Sequence, residues 1–263
     1  KQIDCNKTPE ELAANVFFVP FEKFIQQLEK EFGESLTAAE KTQERATRLE
    51  FTTDSGQIFI NAPLFADTVR GLNSLLSPGA IDQLKNEINP RQAILETVLI
   101  HAFSHVVETK QEYKFAPFSL RVGRIGVPEI GTLKGFKFIA RQENGLPFLL
   151  LSNEATTELV ARTIGRKNGP YINFIENYVN GANLIQAVNK LAGISPQDFL
   201  QYTTGIRSQQ ELFQKWGALK NPNNPDEKGA VMALAAIGLH IHEATNYEDT
   251  KQLVEGSLGV KLP

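Results

Sequence analysis

A chain of 263 residues is long enough for one sizeable domain, or for two closely packed lobes around a shared cleft. With 41% hydrophobic and 22% charged residues it is too apolar for disorder, and a formal net charge of -3 with scattered Lys and Arg gives no electrostatic reason to expect nucleic acid. Cys5 is the sole cysteine, which excludes an internal disulfide and a cysteine-rich metal site. The longest apolar runs, around Ile94–Ile100 and Val231–Leu239, fall short of the ~20 residues a membrane helix needs, so no membrane span is expected.

In chain order, the opening third reads as helical. Thr8-Pro9-Glu10-Glu11 is a capping box with proline at the first helical position, where its missing N–H costs nothing. Phe21, Phe24, Ile25 and Leu28 repeat at helical spacing with Glu and Lys between them, and a polar helix follows around Thr37–Arg48. Gly56–Asn61 is a short apolar, β-branched run between turn formers and reads as a strand. Pro63–Leu76 and Pro78–Ile88 are two further helices, the second capped by Ser77.

Asn89 and Pro90 open the segment that carries chemistry. From Arg91 to about Thr109 there is no Gly or Pro, and Ile94, Leu95, Val98, Leu99, Val106 and Val107 make a strongly apolar helix. Between Tyr113 and Leu151 the pattern changes to alternating apolar and polar residues broken by glycines, the mark of β-strands. From Ser152 onward the chain is helical again, punctuated by Gly169-Pro170, Ser195-Pro196 and the Asn221–Pro225 loop, with a further capping box at Ser208-Gln209-Gln210-Glu211.

His101 and His105 lie inside the apolar helix. Residues four apart stand one above the other on one helical face, so both imidazoles can reach a single ion. The plainer reading is a pair of core histidines satisfied by hydrogen bonds. Downstream, Ser152-Asn153-Glu154-Ala155-Thr156-Thr157-Glu158 opens the next helix, with Glu154 and Glu158 sharing a face.

Together these two segments resemble the gluzincin family of zinc peptidases, of which thermolysin is the familiar member. In that family a helix bearing His-Glu-x-x-His supplies two ligands, and a following helix with a sequence like Asn-Glu-Ala-x-x-Asp/Glu supplies a carboxylate. The resemblance implies a zincin-like α+β fold, mostly helical with a small sheet. It implies Zn2+ held by His101, His105 and Glu154, with Glu158 orienting the first histidine through its other ring N–H. Residues 1–151 would form an N-terminal lobe carrying the small sheet and the metal-binding helix, and residues 152–263 a helical C-terminal lobe supplying the third ligand. The strand Gly56–Asn61 would be the edge along which an extended peptide lies.

One departure from the pattern stands at position 102. The family has a glutamate there, which takes a proton from the metal-activated water and passes it to the leaving amine. Ala102 can do neither, and because proton transfer of this kind is worth ~10²–10⁴-fold, the chain as written is expected to be nearly inactive. Two explanations stand. The favoured one is an engineered Glu-to-Ala change in an active peptidase; the other is a natural pseudo-peptidase that binds peptide or protein partners without cleaving them.

The donor for the oxyanion of the attacked carbonyl is sought among Tyr171, Tyr178, His240 and His242. Tyr171 and Tyr178 lie seven apart, at the spacing of one helical face, although each also reads as an ordinary packing residue. Glu108 is the rival third ligand, but it is seven residues from His101, and a helix rises ~10 Å over that distance. The substrate class implied is peptide or protein, and since peptidases of this kind are often exported, an extracytoplasmic or secreted location is expected.

Overall fold

The computed structural model describes the chain outside residues 1–7, 34, 54, 71–75, 77, 88, 123–124, 142–146, 151–152, 169–170, 173–174 and 242–245. Cys5, the Ser77 cap, Ser152, the Gly169-Pro170 stop and His242 lie outside the described residues. The fold is α+β, mostly helical, with two small sheets. It divides into two compact units, each built from two stretches of chain: Lys1–Val107 with Ile164–Ile175, and Glu108–Thr163 with Glu176–Pro263. Residues 108–151, placed in the N-terminal lobe by the sequence reading, thus group with the C-terminal part of the chain. Among the described residues no helix is long and apolar enough to cross a membrane.

The first unit runs α1 (Pro9–Ala13), β1 (Val16–Val19), α2 (Phe21–Phe32), α3 (Ala38–Thr47), β2 (Glu50–Thr52), β3 (Ile58–Asn61), α4 (Ala62–Val69), α5 (Pro78–Lys85) and α6 (Pro90–Val107). Local chemistry sets the helix starts. The Thr8 hydroxyl accepts the Glu11 N–H while the Glu11 carboxylate accepts the Thr8 N–H, and Thr37 and Glu40 make the same reciprocal pair ahead of α3. The α2 stripe of Phe21, Phe24, Ile25 and Leu28 is buried as its spacing requires.

The three strands are ordered β1-β3-β2, with β1 parallel and β2 antiparallel to β3. All four β3 residues are buried, because both faces of this strand are covered. Phe59 points into a cluster with Val19, Phe21, Phe24, Ile25, Leu28 and Phe51. Ile58 and Ile60 point the other way, onto Ile94, Val98 and Ala102 of α6. Phe17, Phe59 and Phe51 stand opposite one another across the three strands, their rings stacked at 5.3 and 5.2 Å.

This corrects the expectation that Gly56–Asn61 forms an edge strand: β3 is central. An unbroken apolar run is the pattern of a strand covered on both faces, where alternation has no solvent side to mark. The segment 164–175 belongs with this unit partly through α6, since the Ile172 N–H donates to the fully buried Thr97 hydroxyl at 3.1 Å. Thr97→Val, nearly isosteric, removes that acceptor and leaves a buried N–H unmatched. A denaturant melt is expected to show a loss of about 1–3 kcal/mol, and an unchanged midpoint would mean the bond contributes nothing.

The second unit contains β4 (Glu112–Val122), β5 (Ile125–Lys134), β6 (Lys137–Arg141) and β7 (Pro147–Leu150), then α7 (Asn153–Asn168) as far as Thr163, its remainder belonging to the first unit, and α8 (Glu176–Leu191), α9 (Pro196–Thr203), α10 (Gln209–Gly217), α11 (Glu227–Ile241) and α12 (Tyr247–Leu258). The strands form an antiparallel meander in chain order, as the alternating, glycine-broken pattern predicts. Gly135 turns the chain between β5 and β6 with φ of 62°, and its backbone is clasped by Gln111 and the Gln209 amide. α11, buried from Gly229 to Ile241 except at Met232, is the central helix; α8, α10 and α12 pack against it. Trp216 is fully buried, its ring N–H donating to Asn189 at 2.9 Å.

The capping box expected at Ser208 does not form. The Ser208 hydroxyl accepts from Gln210 N–H, while Glu211 is held by Arg207 and by the Tyr202 hydroxyl. A bidentate guanidinium is the stronger partner for a carboxylate than a single backbone amide.

Candidate metal centre

The helix that carries the histidines is built for rigidity. Asn89 accepts the Gln92 N–H at its start, Pro90 occupies the first turn, and the eighteen-residue helix that it opens has no internal breaker. Ile94, Val98 and Ala102 recur every four residues and lie on Ile58 and Ile60 of the sheet. This stripe sets the rotation of the helix, and His101 and His105 follow from it one position and three positions away.

His101 is 9% exposed and His105 half-buried. Their rings meet edge to face with centroids 5.0 Å apart, so the i, i+4 spacing brings the pair together as expected. A third donor arrives from the sheet. Glu50 stands opposite Ile60 in the β2–β3 register. Residues opposite each other across a ladder project to the same face, so Glu50 projects toward α6. Its Oε1 lies 4.0 Å from His101 Nε2, and one ligand atom from each of Glu50, His101 and His105 falls within 4.8 Å of the others.

Two imidazoles and one carboxylate make a donor set that suits zinc. Four donors around a tetrahedral zinc at ~2.0–2.1 Å stand about 3.3 Å apart. The cluster is therefore near that size and slightly open, and side-chain adjustment of about an ångström closes it. Histidine and glutamate side chains at 11% and 12% exposure are costly to bury unless they are paired or hold a cation.

Position 102 completes the local picture. Ala102 has no exposed surface and sits inside the apolar cluster, while its carbonyl accepts the Thr52 hydroxyl at 3.3 Å. Thr52 stands opposite Ile58, on the same sheet face as Glu50, so this bond ties β2 to the turn of α6 that bears the histidines.

The other residues singled out by sequence lie on other elements of the chain. Glu154 begins α7 and is half-buried; Glu158, one turn on, is buried, and both belong to the second unit. Glu108 lies just past the end of α6, also in the second unit, and accepts a short hydrogen bond from the Thr157 hydroxyl. Tyr171 and Tyr178 do not share a helix: Tyr171 precedes α8 and packs against Gly165, whereas Tyr178 is in the first turns of α8. The helical face expected for them fails because α8 starts only at Glu176. His240 is buried near the end of α11, its ring 6.2 Å from that of Tyr247.

Glu50 is the residue that sequence reasoning missed. Its one signal is the alternation Leu49-Glu50-Phe51-Thr52, a polar residue on every second position, and three strand residues are too few to stand out. Comparison with known protein families, with curated proteins and with solved structures found no match, so the functional reading rests on the chemistry of these side chains.

Proposed function

We propose that this protein is a zinc-binding pseudo-peptidase of zincin-like pattern, which holds a divalent metal at the His101–His105 pair and does not cleave peptide bonds. The pair of imidazoles one helical turn apart with a carboxylate in reach supports the metal. When bound, zinc with three protein ligands polarises whatever oxygen occupies its fourth position.

The observation that carries the non-proteolytic half is the seat of Ala102. The stripe Ile94–Val98–Ala102 is the one pressed on the sheet, and the alanine methyl is wholly enclosed there. A carboxylate at this position would face Ile58 and Ile60. The packing therefore supports alanine as the residue this fold calls for, in preference to an engineered replacement of a catalytic glutamate.

The partner class that goes with this reading is a peptide or protein. β2 pairs with β3 alone among the described residues, and an edge strand offers its outer backbone groups to an extended chain. Zinc-loaded protein is expected to retain about one zinc per chain after exhaustive dialysis and to leave an unfolded protein substrate intact. Elemental analysis and a fluorogenic casein digest check the two halves separately. A metal-free product would sink the first half, and metal-dependent cleavage the second.

A further inference from the structure

We infer that Glu50 is a carboxylate ligand of the metal, supplied by the same compact unit as the two histidines. This rests on the reading above, that the histidine pair holds a metal, and adds the identity of the third donor.

Three observations converge. The antiparallel register sets Glu50 opposite Ile60, on the sheet face that α6 covers. The Thr52 hydroxyl, two residues on and on the same face, donates to the carbonyl of Ala102, so strand and helix are joined beside the donors. The carboxylate itself is at 4.0 Å from His101 Nε2, and all three donors lie within 4.8 Å of one another.

Glu50, His101 and His105 belong to one compact unit. A carboxylate enclosed to this degree beside two imidazoles is costly to bury unless it is paired or holds a cation. The two nitrogen donors favour a borderline divalent ion such as zinc or cobalt over magnesium or calcium, which take oxygen donors.

The test titrates the full chain and its Glu50→Gln, Glu50→Asp and His101→Ala variants with zinc against a chromophoric chelator. Cobalt(II) absorption reports the coordination, and circular dichroism verifies that each variant is folded. Glu50→Gln is expected to weaken binding more than about 100-fold, beyond the 10–100-fold typical of residues that only orient a ligand. Glu50→Asp, which keeps the charge with a shorter reach, is expected to fall between Glu50→Gln and the parent.

A loss under 100-fold for Glu50→Gln overturns the assignment while leaving the histidine site standing. A parent that binds no more tightly than His101→Ala overturns the metal reading itself.

Discussion

Ala102→Glu is expected to destabilise the first unit by about 2–6 kcal/mol and to confer no proteolysis. The range combines about 1–3 kcal/mol for forcing extra atoms into a filled core with about 1–3 kcal/mol for a polar group buried without partners. Ala102 has no exposed surface and lies against Ile58, Ile60, Ile94 and Val98. The added carboxyl has no polar neighbour among those four residues, and it stays protonated or forces α6 to rotate. Rotation would in turn carry His101 and His105 away from Glu50, so metal affinity falls along with stability.

Denaturant melts and a zinc titration on the same sample measure both effects. Ala102→Gly, which adds no bulk, serves as the control for helix propensity, at a cost of about 1 kcal/mol. A glutamate variant that melts within 1 kcal/mol of the parent and, loaded with zinc, digests casein would restore the reading of a disabled peptidase.

Zinc is expected to raise the melting temperature, and His101→Ala to abolish that rise. A ligand that binds only the folded state stabilises it by RT ln(1 + [L]/Kd), about 2.7 kcal/mol at a hundredfold excess over Kd. For a chain of this size that corresponds to an upward shift of roughly 5–11 °C. The shift should vanish with a chelator and should be absent in His101→Ala at any zinc concentration that leaves the parent half-saturated. Scanning calorimetry with and without zinc makes the comparison. Because the three donors belong to the first unit, the response is expected in the transition that also responds to Thr97→Val. Coincident melts of parent and variant under both conditions would remove the metal from the account.

The share of this molecule legible in its sequence follows from the range of the interactions concerned. The helix starts at Thr8, Thr37 and Asn89 were readable, since a capping side chain meets an amide two or three residues away. The α2 stripe and the β-rich stretch from Tyr113 to Leu151 were readable because burial imposes a period on the sequence itself. Ser208 shows where local logic stops: its box lost Glu211 to Arg207 and Tyr202, partners that the local pattern does not weigh. β3 was found as a strand yet set at the wrong place in the sheet. Nothing in Ile58-Phe59-Ile60-Asn61 names its neighbours, and its lack of alternation is understood only once both covering helices are known.

The sequence by itself determined the histidine pair and the absence of a proton-transferring side chain at position 102. The i, i+4 spacing on an unbroken helix dictates that His101 and His105 meet, and no arrangement of the chain gives an alanine a proton to carry. The tertiary structure alone decided that Glu50 stands with them and that Ala102 is enclosed. Those facts depend on the pairing register of β2 with β3 and on how α6 is rotated against the sheet. Helical periodicity is set by bonds between near neighbours, whereas the register of β2 on β3 is one of several that its three residues allow, and helix-on-sheet packing joins residues such as Thr52 and Ala102, fifty positions apart, whose meeting is selected by the whole core.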